Sequence, residues 1–248
     1  MKLQGGANIY GVTIGVLCLD SHFPKPPGHI KNPSGLRFPV LYETVPGATV
    51  AKLVNGPPPG FIAPFLEAAR HLEAEGARAI TGSCGFLALF QRELAQAVSV
   101  PMFASSLIQV PLVHHMLGGQ GRVGVLTASG PNLTPQHFAA VGAAGIPVAI
   151  QGMDDYREFR EVILEGQRHD MDMAKIENEV LAAAKLLLKT HPDVRAVVLE
   201  CTDMPPYAHT LQQRLGLPIF DLTTLATMVH EAVLRLPYEG IMPRQARG

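Results

Sequence analysis

Two cysteines stand out for chemistry because they occupy matched places in what reads as a duplicated sequence. Cys84 lies in TGSCGF and Cys201 in LECTDM, each just past an apolar run and before a helix-like stretch. Arg78 and Arg195 precede them by the same interval, in Arg78-Ala79-Ile80 and Arg195-Ala196-Val197. Pro101-Met102-Phe103 and Pro218-Ile219-Phe220 follow at the same interval. Upstream, Ile14-Gly15-Val16-Leu17 is echoed by Val123-Gly124-Val125-Leu126. A single such match is common in α/β units; several in one order point to two similar lobes.

Two thiols at equivalent points of two facing lobes stand on opposite walls of one cleft. A thiolate on one side can remove a proton from a carbon between them while a thiol on the other delivers one, which inverts a stereocentre without metal or organic cofactor. Backbone N–H groups where a strand ends and a helix begins favour a thiolate and offer donors to a substrate carboxylate. The third cysteine, Cys18, aligns with Thr127 of the second copy and alternates with Ile14 and Val16, so it reads as a packed core thiol.

The elements that must position these thiols follow from the pattern of apolar residues. Short runs at 13–19, 77–81, 122–127 and 194–199 read as buried strands, and 62–75 and 175–189 have helical periodicity. This alternation predicts an α/β fold of two similar three-layer lobes, with mostly parallel sheets related by a pseudo-twofold axis and the active site in the cleft between them. The expected division is 1–112 plus 221–248 for the first lobe and 113–220 for the second. Residues 21–59 are rich in Pro and Gly and leave the carboxyl end of the first strand, where such sheets bind ligands. They read as a lid or specificity loop, or as a surface excursion.

These motifs resemble the aspartate/glutamate racemase superfamily, which includes hydantoin racemase, maleate isomerase and arylmalonate decarboxylase, over nearly the whole chain. Leu199-Glu200-Cys201-Thr202-Asp203-Met204-Pro205 is similar to the second-cysteine motif, with Asp203 where a polar residue tunes the thiol. The first-cysteine motif, usually Cys-Asn-Thr, reads Cys84-Gly85-Phe86 here, and the side-chain donors of Asn and Thr are missing. Asp20-Ser21 resembles the Asp-Ser of glutamate racemases, but His22-Phe23-Pro24 replaces the glycines that normally follow. The resemblance implies Cys84, Cys201, Asp20 and Asp203 as catalytic residues. It also implies Ser83, Gly85, Phe86, Thr127, Ser129, Thr202 and Asn32 as substrate contacts, and a homodimer.

The expected activity is therefore an isomerase: a cofactor-independent racemase or epimerase of an amino acid or related small carboxylate, with a pocket suited to something bulkier or less polar than aspartate or glutamate. A cis/trans isomerase with a nucleophilic cysteine, and a two-lobed carboxylate-binding protein without catalysis, are the alternatives. The formal net charge of −1 and the absence of like-charge runs argue against a nucleic-acid partner. No apolar run reaches the roughly 20 residues of a membrane span, and the start of the chain reads as a strand rather than a signal peptide, so a cytoplasmic location is expected. Three scattered cysteines suggest reduced thiols rather than a disulfide framework. His114-His115 lacks metal-ligand spacing, and Gly118-Gly119-Gln120-Gly121 precedes a strand rather than opening a helix, so neither a metal nor a nucleotide is expected.

Overall fold

Apolar runs with few charges form strands buried on both faces, and in this chain they build two parallel four-stranded sheets. The fold is that of a computed structural model, which describes residues 5–240. The expected first lobe's outermost residues, 1–4 and 241–248, lie outside the described residues. The first sheet holds β1 (Ile14–Leu19), β2 (Val40–Val45), β3 (Ala79–Gly82) and β4 (Met102–Phe103), in the order β2-β1-β3-β4. The second holds β5 (Arg122–Thr127), β6 (Val148–Gly152), β7 (Val194–Leu199) and β8 (Ile219–Phe220), in the order β6-β5-β7-β8. The two orders are the same permutation, which is the repeat expressed as topology.

Helices cover the sheet faces because their apolar residues recur at helical spacing. Ala63–Ala74 buries Phe65, Ala68, Ala69 and Leu72. Met173–Thr190 buries Ile176, Val180, Ala183, Ala184 and Leu187, and Asp172 caps it by accepting the Lys175 N–H at 3.1 Å. One apolar cluster runs through both lobes, from Leu17 and Phe86 to Val125 and Leu199. A smaller one joins Ile14, Val16 and Cys18 to Phe38, Leu222 and Leu225, so the helix Leu222–Val233 packs on the first sheet. Cys18 is thus a buried core thiol, and burial raises its pKa to about 11.

The Pro-rich segment is more ordered than its composition suggests. It contains the edge strand β2, paired in parallel register with β1, and the short helix Val50–Val54, both unforeseen in the sequence. Its first half folds back across the cleft. Gly28 adopts a φ of +101°, and a Cβ there would meet Pro206 Cα at 3.0 Å, while the Gly28 carbonyl accepts from Thr223 Oγ1 at 2.8 Å. Among the described residues, no helix is long and apolar enough to cross a membrane.

Candidate active site

Strands β1, β3, β5 and β7 each send a residue at or just past their carboxyl end, Leu19, Ser83, Ala128 and Glu200, to one shared cavity. Cys84 follows β3 and precedes the 3-10 helix Gly85–Phe90. Cys201 follows β7 in a turn closed by the Met204 N–H donating to the Cys201 carbonyl at 3.2 Å. Both thiols line one cavity together with Ser83, Gly85, Phe86, Glu200, Asp203 and loop residues His29 and Lys31. Two bonds lock the lobes at this point: Thr202 Oγ1 donates to the Ser83 carbonyl at 2.7 Å, and Ser106 Oγ to the Leu199 carbonyl at 2.7 Å.

The turn after Cys201 swings Asp203 back over the sulfur, with Oδ2 at 3.5 Å from Sγ and the thiol as donor. The other carboxylate oxygen, Oδ1, is 3.1 Å from His29 Nε2. Because His29 Nδ1 accepts the Lys31 N–H at 2.8 Å, the ring proton sits on Nε2 and points at Asp203. Burial alone would raise the Asp203 carboxyl; His29, Lys25 and the Cys201 thiol outweigh it and hold the group below the usual carboxylate range.

Both catalytic-candidate thiols shift the other way. Burial pushes Cys84 up, Glu200 and Asp203 add to this, and the Phe86 N–H only partly offsets it. Burial likewise raises Cys201, reinforced by Asp203 and Glu200. The thiolate-favouring effect expected of a helix start is therefore outweighed. Cys201 in particular precedes a turn, and its helix, Ala208–Leu215, begins later.

The remaining expected residues divide clearly. Thr127 is buried and donates to Glu200 Oε2 at 2.8 Å, so it acts through that carboxyl, and Thr202 is spent on Ser83. Asp20 does not line the thiol cavity: its carboxylate accepts from the Gly47 N–H at 2.9 Å, which holds its pKa down, and faces an outer pocket. Ser129 donates to Asp154 at 2.6 Å. Asn32 caps a 3-10 turn and donates to the Lys25 carbonyl at 2.7 Å. Neither is brought to the thiols.

Three residues that sequence reasoning missed are brought there. Lys31 Nζ is anchored by the Leu19 carbonyl at 2.8 Å and Ser21 Oγ at 3.2 Å. His29 is almost fully buried. Glu200 is wholly buried at the end of an apolar strand, where burial raises its pKa to about 7. A carboxylate closing so apolar a run was the available signal.

The cavity itself is about 10 Å³, about the room one water needs. Ser21, Phe23, Val50 and Ile163 separate it from an outer pocket of about 270 Å³, lining both.

Residues 108–229 match the family model described as Asp/Glu/Hydantoin racemase. The chain is 31% identical over 221 residues to the "Dimethylsulfoniopropionate lyase" of Durusdinium sp. clade D, covering 86% of this chain and 72% of that protein. The chain belongs to the dimethylsulfoniopropionate lyase family, within the aspartate/glutamate racemase superfamily. It is 31% identical over 240 residues to "Dimethylsulfoniopropionate lyase 7" of Emiliania huxleyi (strain CCMP1516), covering 92% of this chain and 69% of that one. Among solved structures, the allantoin racemase of Klebsiella pneumoniae matches with a TM-score of 0.61 at 17% identity, over 90% of this chain and 87% of that one. That likeness concerns the fold.

The protein is accordingly an enzyme, but the expected isomerase is corrected. Lyase relatives, matched across most of the chain, overturn the racemase or epimerase reading together with the cis/trans isomerase and the passive binding protein. The physical reason lies in the thiols: a matched pair across a cleft suits two-base inversion, yet the same pair also serves a reaction that needs only one base.

Proposed function

We propose that the protein is a carbon–sulfur lyase that splits dimethylsulfoniopropionate into dimethyl sulfide and acrylate. The observation that carries this reading is the 31% identity to a dimethylsulfoniopropionate lyase over 86% of this chain.

The chemistry is a β-elimination. A base removes a proton from the carbon next to the carboxylate, a carbon–carbon double bond forms, and the carbon–sulfur bond breaks with its electron pair leaving on sulfur. Dimethyl sulfide departs neutral, so the leaving group needs no proton and one thiolate suffices. Cys201 is the base in this scheme: its thiol hydrogen points at Asp203 Oδ2, a carboxylate that His29 orients, and passes along it to solvent when Cys201 ionises. A thiol held high by burial makes a strong base once ionised, and the approach of a cationic sulfonium favours that ionisation. After elimination the substrate proton rests on Cys201 and the thiol is regenerated.

Charge that develops on the substrate carboxylate is met by Lys31 and by Cys84, which acts as a thiol donor. Substrate is larger than the cavity, so turnover requires Phe23, Val50 and Ile163 to part and admit it from the outer pocket. The test is proton NMR of the protein with dimethylsulfoniopropionate. Appearance of vinyl signals with loss of the S-methyl resonance supports elimination, and an unchanged spectrum defeats it.

A further inference from the structure

Glu200 is the one cavity-lining carboxyl whose charge the proposed elimination leaves unused. Its Oε2 is satisfied by Thr127 Oγ1 at 2.8 Å, whereas Oε1 is buried with no hydrogen-bond partner among the described residues. A buried carboxyl oxygen left unpaired is unfavourable, and such a group in an otherwise well-bonded site marks a place where something else binds. The space around it is also reserved. A Cβ on Gly85 would lie 2.1 Å from Glu200 Oε1 and 2.2 Å from the Glu200 carbonyl, so the second lobe's carboxyl fills the room where a side chain after Cys84 would stand.

Nearby cations do not neutralise it. Among the described residues no ion pair reaches Glu200: Lys31 turns two of its three N–H donors to the Leu19 carbonyl and Ser21, leaving one for a ligand, and the ammonium of Lys25 sits 3.3 Å from the centre of the Phe23 ring. A general-acid role is not needed, since a neutral sulfide leaves without a proton. What the free oxygen suits is a methylated cation, which makes no hydrogen bonds to water, is readily desolvated, and by its charge draws the proton off this buried carboxyl, so that the pair is held electrostatically beside the buried ring of Phe86.

We propose that Glu200 determines specificity by placing its free Oε1 against the cationic end of a zwitterionic substrate, whose carboxylate end meets Lys31. This rests on the lyase reading and deepens it: the substrate class is a small carboxylate with a sulfonium or quaternary ammonium group two carbons away. Such a pocket binds an uncharged isostere more weakly because the carboxyl would stay buried and unpaired.

The experiment compares two ligands of the same shape, 3-(trimethylammonio)propionate and 4,4-dimethylpentanoate, by calorimetry on the wild type, Glu200→Gln and Glu200→Asp. The wild type should bind the cation at least about tenfold more tightly, Glu200→Gln should lose that preference while still binding the isostere as before, and Glu200→Asp should retain part of it. Isostere binding reports that the variant's pocket is intact. A wild type without preference, a Glu200→Gln that keeps it, or one that loses both ligands alike overturns the proposal. Dimethyl sulfide release by the wild type is measured alongside. Its absence would sink the lyase reading alone, whereas normal release with an unchanged ligand preference in Glu200→Gln would sink only this contact.

Discussion

Asp203 Oδ2 lies 3.5 Å from Cys201 Sγ and accepts the thiol hydrogen. Asp203 is held below the usual carboxylate range, so it remains ionised, and able to accept, well into the acid region. Replacing it with Asn keeps the shape and an oxygen acceptor but removes the charge and the ability to relay a proton. Asp203→Asn should lower kcat on the order of a hundredfold, and the acid limb that Asp203 gives the wild-type pH profile should vanish. A variant with the wild-type profile would show that the carboxylate only packs against the thiol.

The two cysteines should respond unequally to the same change. Serine is too weak an acid to serve as the base, so Cys201→Ser should slow elimination by on the order of a thousandfold or more. Cys84→Ser retains an O–H donor and should lose about tenfold to a hundredfold. Equal, near-total losses would restore a mechanism in which both sulfurs transfer protons.

Gly85 predicts a steric result. Its absent Cβ would collide with both the Glu200 side chain and the Glu200 carbonyl, so Gly85→Ala should destabilise by about 1–3 kcal/mol in urea unfolding. Because the carbonyl belongs to the main chain, adding Glu200→Ala should not restore stability. Full rescue by the second change would mean that the backbone contact is relieved freely.

The same carboxyl links stability to pH. Glu200 has its pKa raised to about 7 from an ordinary 4.5, so the folded state holds a proton that the unfolded state releases earlier. Its favourable contribution is complete below about 4.5 and is lost as pH rises towards 7, by about 3 kcal/mol at most. Glu200→Gln cannot ionise. Its unfolding free energy relative to the wild type should therefore rise across pH 4.5–7 and level off above, and a flat difference over that window would contradict the burial argument.

Much of this was legible in the sequence, and the limits have physical causes. Apolar runs such as residues 194–199 announce parallel strands, and the matched Arg78 and Arg195 before Cys84 and Cys201 carry over into two sheets of one strand order. β2 escaped notice because Tyr42, Glu43 and Thr44 lie at a partly exposed sheet edge and lack a buried strand's apolar run. His29 and Lys31 reach the thiols only because the loop is pinned by Gly28 against Pro206 and by Thr223, contacts with no local periodicity. Glu200 was visible within the second-cysteine motif, but its pairing with Gly85 exists only once the lobes meet. The choice of reaction was less legible still, since two thiols across a cleft fit inversion and elimination alike.

The central claim is that this site eliminates dimethyl sulfide, and the most direct measurement is the paired yield of volatile sulfide and acrylate from purified protein, by gas chromatography of the headspace and liquid chromatography of the solution. The account predicts the two products in equal amounts from the wild type, with both nearly abolished in Cys201→Ser. A wild type that releases neither above the uncatalysed background, or a Cys201→Ser variant that releases both at the wild-type rate, would contradict it.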